Sequence, residues 1–228
     1  MAAEIPPQGH DPMVASRLQI LATEHWSLLA TRSLTYTESL GRVNMFLGIL
    51  SGAVIALALV AQADRFGSAF IAVAIFMLTV VFFVGVATVR RLLMLNLDDY
   101  RWVVGMNRLR HAYLELHPEL EPNFITSPYD DLPGALQTLG LGPASAPSLG
   151  TVFHGLVTMP GMVAVIVAAV GAAIAGLAAT GFGAPESAVL LAGALAFAAV
   201  LAVMMRTGSR SFRGYGSSSE VRFPTPKA

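Results

Sequence analysis

VNMFLGILSGAVIALALVAQA, residues 43–63, contains no charged side chain. Asp64-Arg65-Phe66 follows it, and then comes a second uncharged stretch, GSAFIAVAIFMLTVVFFVGVATV, residues 67–89. About 20 apolar residues in a helix cross a hydrocarbon core of roughly 30 Å. The residues between the two stretches suffice only for a tight turn. This part of the sequence therefore predicts two membrane-spanning helices that run in opposite directions.

A second pair of spans is predicted towards the end of the chain. Residues 160–180 and 187–205 are again free of charged side chains, and a glycine- and proline-containing turn separates them. Arg206 ends the last apolar stretch, so we expect a second transmembrane hairpin over 155–206. The predicted class is an all-α polytopic membrane protein with four transmembrane helices.

Composition supports this class. The 228 residues are 55% hydrophobic and 12% charged, against about 25% charged residues in soluble domains. The formal net charge is zero, so charge indicates no nucleic-acid partner. The chain has no cysteine, which excludes disulfides, thiolate metal ligands and cysteine nucleophiles.

The first two spans continue into long polar arms. From Met13 to about Gln62 there is no proline, and residues on one predicted helix face recur at steps of three or four: Ala15, Leu18, Ala22, Trp26, Leu29, Ser33, Tyr36, Leu40, Val43, Leu47 and Leu50. The second arm continues past Arg90-Arg91 to His117, where Pro118 disfavours further helix. We therefore expect a long antiparallel hairpin over 13–117, with arms of roughly 75 Å.

The remaining segments lack such periodicity. Residues 1–12 are predicted to be a flexible N-terminus, and the proline-rich residues 118–154 an irregular linker with a helical turn or two near Leu132–Leu139. Residues 207–228 form a basic tail that we expect to be disordered, with contact to anionic lipid as one possible role.

Basic residues predict the orientation. Thirteen of the fourteen flank the predicted spans on one side, and Arg65 alone lies on the other. The positive-inside rule then places both termini and the linker in the cytoplasm, with the spans in the inner (plasma) membrane of a bacterial cell.

Two pairs of residues are candidates for helix packing. Gly48 and Gly52 form a GxxxG motif, which permits close approach of a neighbouring helix, in this chain or in a second copy; chance is the alternative, since glycine is common in such helices. Trp26 and Trp102 lie too far from the spans to sit at the headgroup level. In a straight hairpin they would approach to roughly 10 Å and clamp the two arms, each N–H facing a polar neighbour.

His25, His111 and Asn44 are the candidates for polar contacts between helices. The two histidines fall on or beside the apolar stripes of the arms, where polar residues often fix helix register. The histidine spacing matches no familiar metal-ligand pattern, so we predict neither a metal nor a cofactor. The acidic pairs, among them Asp130-Asp131, are typical of solvated surfaces. Without a P-loop, a GxSxG motif or a charge within the spans, the sequence favours neither an enzyme nor ion-coupled transport.

Two segments carry a resemblance. EHWSLLATRSL, residues 24–34, and NRLRHAYLELHPELEP, residues 107–122, resemble segments of uncharacterised bacterial four-span membrane proteins, a likeness that implies the fold and no activity. The first half is also similar in layout to predicted two-span effectors of bacterial conflict systems, which are thought to make pores.

The predicted function follows from this architecture. We expect a non-enzymatic membrane protein that assembles or interacts through its cytosolic helical hairpin, with a pore-forming effector as one form of this function. A homo-oligomer and the lipid bilayer are the expected partners. The alternative is a small-solute transporter or channel whose path lies between the spans.

Overall fold

The computed structural model describes residues 12–140, 156–216 and 220–226, and of 210–216 it describes the backbone alone. Within these ranges all regular secondary structure is helical. The helices are α1 (Pro12–Asp64), α2 (Ser68–Leu116), a 3-10 helix (Pro118–Asn123), α3 (Leu132–Thr138), α4 (Met159–Gly181) and α5 (Glu186–Gly216). Four of them, α1, α2, α4 and α5, are long and apolar enough to cross a membrane, which confirms the predicted all-α class with four candidate spans.

The chain divides into two compact units. The polar unit comprises the described residues within 1–34, 98–144 and 219–228. The span unit comprises those within 35–97 and 145–218. The predicted N-terminal segment before Pro12 and the part of the predicted linker from 141 to 154 lie outside the described residues.

The turn between α1 and α2 depends on Asp64. Its carboxylate accepts the main-chain N–H of Phe70 at 2.7 Å, which satisfies a donor at the start of α2. Its carbonyl oxygen accepts the N–H of Gly67 at 2.9 Å. Arg65 and Phe66 adopt positive φ angles of 46° and 62°, so the reversal is made by two non-glycine residues in the left-handed region.

Small residues allow close packing inside the span unit. Phe46 of α1 and Val167 of α4 are fully buried and belong to one apolar core. A Cβ added to Gly85 would lie 2.9 Å from Cε2 of Phe46 and closer still to Val167, so any larger residue would require these side chains to shift. Between α4 and α5, Gly171 lies against Val200 and Gly176 against Val189.

Glu38 joins two arginines in the span unit. Its carboxylate accepts from Nε of Arg42 at 2.8 Å and from both Nε and Nη2 of Arg91 at 2.9 Å. The hydrogen bonds from Arg91 and then Arg42 lower the pKa of Glu38 to about 2. The carboxylate therefore stays ionised at neutral pH and ties α1 to α2.

The buried face of α1 differs from the predicted one. In the polar unit, Ala15, Ala22, Trp26, Leu29 and Ser33 of the predicted stripe are exposed. Apart from Thr31, the half-buried residues recur instead at alternating steps of four and three: Val14, Leu18, Leu21, His25, Leu28 and Arg32. The prediction was wrong because it left out His25 and Arg32, whose partners on α2 are the ring of Tyr113 and the carboxylate of Asp99.

The tail is more ordered than predicted. Helix α5 continues to Gly216, beyond the predicted end of the span at Met205. Residues 220–226 form no helix or strand and bend at Arg222 and Phe223, and their main-chain N–H groups bind carboxylates elsewhere in the polar unit. The prediction of disorder is therefore wrong for these residues, because it considered composition and not the acceptors elsewhere in the chain.

Candidate functional site

Asn107 is the centre of a buried polar cluster in the polar unit. Its side chain is fully buried, and its Nδ2 donates to the carbonyl oxygen of Tyr129 at 2.7 Å. Its Oδ1 accepts from Nη1 of Arg110 at 2.7 Å and from the hydroxyl of Thr138 at 2.9 Å. One amide thus links α2 to the loop before α3 and to α3 itself. Buried polar groups that are satisfied in this way rigidify the structure around them.

Arg110 is a buried cation in this cluster. The residue is 7% exposed, and its described hydrogen bond goes to the amide oxygen of Asn107 rather than to a carboxylate. Burial, and then the charge of Arg32, lowers the pKa of Arg110. Arg32 has its own partner, since its Nε donates to Asp99 at 2.6 Å.

The loop before α3 is closely packed on this cluster. Ser127 is 1% exposed, and its N–H donates to the hydroxyl of Thr138 at 3.2 Å. The side chain of Asp131 accepts from the N–H of Gly134 at 3.0 Å and caps α3. A Cβ at Gly134 would collide with the carbonyl oxygen of Tyr129, so this contact also requires glycine. The loop is therefore fixed from both ends.

Asp130 and Asp131 bind the main chain of residues 220–226, which we call the tail segment. The side chain of Asp130 is fully buried, and Oδ1 accepts the N–H of Arg222 at 3.1 Å and that of Phe223 at 2.8 Å. Oδ2 of Asp131 accepts the N–H of Thr225 at 2.8 Å, and its Oδ1 accepts the Thr225 hydroxyl at 2.7 Å. The N–H of Asp130 in turn donates to the carbonyl oxygen of Phe223 at 3.0 Å. Hydrogen bonds therefore run in both directions between loop and tail segment.

Two side chains of α2 complete this site. Arg108 donates from Nε to Oδ2 of Asp130 at 2.7 Å and from Nη2 to the carbonyl oxygen of Glu220. The ring of Phe223 stacks on His111, with centroids 3.9 Å apart and planes at 21°. Asp130, Asp131, Arg108 and His111 together form what we call the tail site.

Hydrogen bonding outweighs burial at both aspartates. Burial raises the pKa of Asp130, but the N–H groups of Arg222 and Phe223 and the Arg108 guanidinium leave it below its ordinary value. Burial likewise raises the pKa of Asp131, and the hydroxyl and N–H of Thr225 and the N–H of Gly134 reverse the effect. Both carboxylates are therefore ionised acceptors at neutral pH.

The predicted histidine and asparagine positions have different outcomes. The ring of His25 stacks on Tyr113 of α2, with centroids 6.0 Å apart, so it lies in a contact between the two arms. Burial, and then Arg110, lowers the pKa of His25. His111 contacts the tail segment, and its Nε2 lies 3.7 Å from Glu115. Asn44 is exposed within the chain.

The predicted tryptophan clamp is wrong. Trp26 is 70% exposed, because Leu28 faces α2 instead. The Cδ1 atom of Leu28 lies 3.1 Å from the point where a Cβ would stand if Gly105 had one. Trp102 is half-buried, but its Nε1 is buried without a hydrogen-bond partner among the described residues. The expected polar neighbour of that N–H is therefore not found in this part of the chain.

The GxxxG motif has no partner within the described chain. A Cβ added to Gly48 or to Gly52 would meet no described atom within 4 Å. The motif thus seats no helix of the described chain, and packing against a second copy stays a prediction.

The sequence pattern did not reveal the tail site. Asp130-Asp131 was interpreted as a solvated pair, whereas Asp130 is 1% exposed. The available signal was the alternation Pro224-Thr225-Pro226, which is typical of a pre-extended segment.

Comparison with family models, curated proteins and solved structures finds no match for this chain. Its class therefore rests on its own residues. The four candidate spans indicate a multi-pass membrane protein.

Proposed function

We propose that this chain is a non-enzymatic integral membrane protein that assembles with other proteins through its polar unit. The observation that carries the proposal is the exposed apolar surface of α1 in that unit. Met13, Ile20, Trp26 and Leu34 are 65–71% exposed, on a part of the helix that extends well beyond the predicted span. Large apolar side chains that face water along one helix offer a surface that another protein can cover.

Insertion of the span unit in a membrane is supported by its outward side chains. Ile55, Phe76, Phe83, Leu190 and Val203 are 63–70% exposed, although they lie within the predicted spans. Apolar side chains of this size have a lower free energy in contact with lipid than in contact with water. The basic-residue asymmetry then favours cytoplasmic termini and an inner-membrane location.

The long hairpin of α1 and α2 is part of the proposal. It is supported, in each unit by itself, by contacts between α1 and α2. In the polar unit these are His25 with Tyr113, Leu28 with Gly105, and Arg32 with Asp99. In the span unit they are Glu38 with Arg91 and Phe46 with Gly85.

Assembly is tested by the mass of the protein in lipid nanodiscs. We expect the wild type to form an oligomer or to retain a partner from the membrane extract, and the double variant Trp26→Ser, Leu34→Ser to lose it. Ile125→Ser is the matched control, because Ile125 is 95% exposed in the same unit but lies outside α1. Equal masses for the wild type and the double variant, with no partner retained by either, would contradict the proposal.

The pore-forming form of this function has its own test, which is conductance in a planar bilayer. Conductance that disappears in the Trp26→Ser, Leu34→Ser variant would support a pore that depends on assembly. Conductance that is unchanged in that variant would favour the alternative of a small-solute channel within one chain.

Topology is tested with reporters. A reporter fused after Ala228 should behave as cytoplasmic, and one inserted after Gly183, in the turn between α4 and α5, should behave as external. The opposite result at either position would exclude the proposed four-span orientation.

A further inference from the structure

We infer that the tail site, formed by Asp130, Asp131, Arg108 and His111, is a peptide-binding site whose ligand is the tail segment Glu-Val-Arg-Phe-Pro-Thr-Pro, residues 220–226. The site binds this segment as a separable ligand, so the same peptide supplied in solution can occupy it. Nothing in this inference depends on the proposed assembly through α1.

Burial differs between the two sides of the contact. The carboxylate of Asp130 is fully buried, and Ser127 and Asn107 of the neighbouring polar cluster are 1% and 0% exposed. In the tail segment only Phe223 and Thr225 are half-buried, and the other five residues are exposed. Within the polar unit, the receptor side is thus buried, while the tail segment is mostly exposed.

The site recognises main chain. Three N–H groups of the tail segment, those of Arg222, Phe223 and Thr225, donate to the two carboxylates, and the Phe223 carbonyl oxygen accepts from the loop. Where a peptide is held through its main chain, these hydrogen bonds supply affinity and the contacts of individual side chains supply specificity. Hydrogen bonds to ionised carboxylates are stronger than neutral ones, which favours a donor-rich peptide over water.

The sequence of the tail segment matches the donors that are used. Pro224 and Pro226 carry no N–H, and they occupy positions from which no N–H is needed. Proline also disfavours helical conformations of the residue before it, so Phe223 and Thr225 sample fewer conformations in the free segment. A ligand that samples fewer conformations loses less conformational entropy on binding.

Side-chain selectivity comes from Phe223. Its ring stacks on His111 at 3.9 Å and is half-buried, whereas the neighbouring Val221 is 44% exposed. Phe223 should therefore be the residue that distinguishes this peptide from others of similar charge. The hydroxyl of Thr225, which donates to Asp131, adds a second selective contact.

The experiment uses the full-length protein in detergent and a fluorescent peptide of residues 218–228. The variant Phe223→Ala, Thr225→Ala weakens the chain's own tail segment and should bind the added peptide saturably. The wild type should bind it about tenfold more weakly, because its own segment competes. Adding Asp130→Asn to the double variant should reduce binding by about tenfold or more, as expected for loss of a charged acceptor. A peptide carrying Phe223→Ala should also bind more weakly, and one carrying Val221→Ala should bind as the unchanged peptide does.

Hydrogen exchange provides a second measurement that leaves the receptor side intact. In the wild type, the amides of Arg222, Phe223 and Thr225 should be protected. The variant Thr225→Pro removes one donor of the tail segment and should expose the amides of Arg222 and Phe223, whereas Val221→Ala should not. Unprotected wild-type amides would overturn the inference. Two further results would also overturn it, even if the wild-type amides are protected. One is that the variant Phe223→Ala, Thr225→Ala binds no added peptide. The other is that this variant binds the peptide equally well with and without Asp130→Asn.

Discussion

The buried carboxylate of Asp130 accepts the main-chain N–H of Phe223 at 2.8 Å, although 93 positions separate the two residues in the sequence. The same carboxylate accepts the Arg108 guanidinium at 2.7 Å. It therefore joins three separate segments of the polar unit through one side chain.

Asp130 should be important for the stability of the polar unit. Asp130→Asn removes a buried charged acceptor and leaves Arg108 without its carboxylate partner, so we expect a loss of about 2–4 kcal/mol in unfolding free energy. Thermal unfolding of the detergent-purified protein measures the effect. Asp98→Asn is the matched control, because Asp98 forms an exposed pair with Arg101 and should cost less than about 1 kcal/mol. Equal losses in the two variants would mean that Asp130 acts as a surface carboxylate.

Asn107 should be as sensitive to substitution. Asn107→Leu keeps a branched side chain of four heavy atoms but leaves the Tyr129 carbonyl, the Thr138 hydroxyl and the buried Arg110 without their common partner. We expect a loss of about 3 kcal/mol, since each buried unsatisfied group costs roughly 1–3 kcal/mol and relaxation recovers part of the sum. Asn96→Leu on the exposed side of α2 should have little effect. Chemical denaturation monitored by tryptophan fluorescence would detect the difference, and an unaltered midpoint for Asn107→Leu would contradict it.

His25 should make the polar unit less stable in mild acid. Its pKa is lowered in the folded state by burial and then by Arg110, so at a pH near its ordinary value of 6.5 the unfolded chain binds more protons. The part of the unfolding free energy that depends on a neutral His25 is then fully present above pH 6.5, and it is lost as the pH falls through the pKa of His25 in the folded protein. The loss should be below about 1 kcal/mol, because the ring is half-buried and water screens the charge. His25→Phe keeps a ring against Tyr113 and should flatten the dependence of melting temperature on pH between about 7.5 and 5.5. If melting temperature depends on pH in the same way in the His25→Phe variant, other titratable groups cause the dependence.

Two glycines of the spans should respond oppositely to alanine. At Gly85 the new Cβ would overlap Phe46 and Val167, so Gly85→Ala should destabilise the span unit by about 1–3 kcal/mol. At Gly48 no described atom lies within 4 Å of the new Cβ, and alanine is the better helix former, so Gly48→Ala should leave monomer stability unchanged or slightly raised. Thermal stability in detergent compares the two variants. A larger loss for Gly48→Ala, together with a smaller oligomer, would place a second copy on the GxxxG face.

The spacing of apolar residues predicted the length of the helical arms but not which face of α1 is buried. Apolar spacing predicted one helix from about Met13 to about Gln62, and α1 runs Pro12–Asp64. The same spacing selected the wrong buried face in the polar unit. His25 and Arg32 occupy half-buried positions because Tyr113 and Asp99 on α2 complement them, and a hydrophobic pattern cannot register such partners.

By itself, the sequence determined the helical class and the four apolar helices. Both follow from local properties, namely the length of the uncharged stretches and the placement of proline, glycine and charge along the chain. Only the tertiary structure decided that Asp130 is buried, that Asn107 joins α2 to α3, and that residues 220–226 lie in the tail site. The physical reason is that a carboxylate or an amide can be stable in either of two environments, exposed to water or buried with all its hydrogen bonds made. Which of the two it meets depends on donors that are distant in sequence and close only in the folded chain.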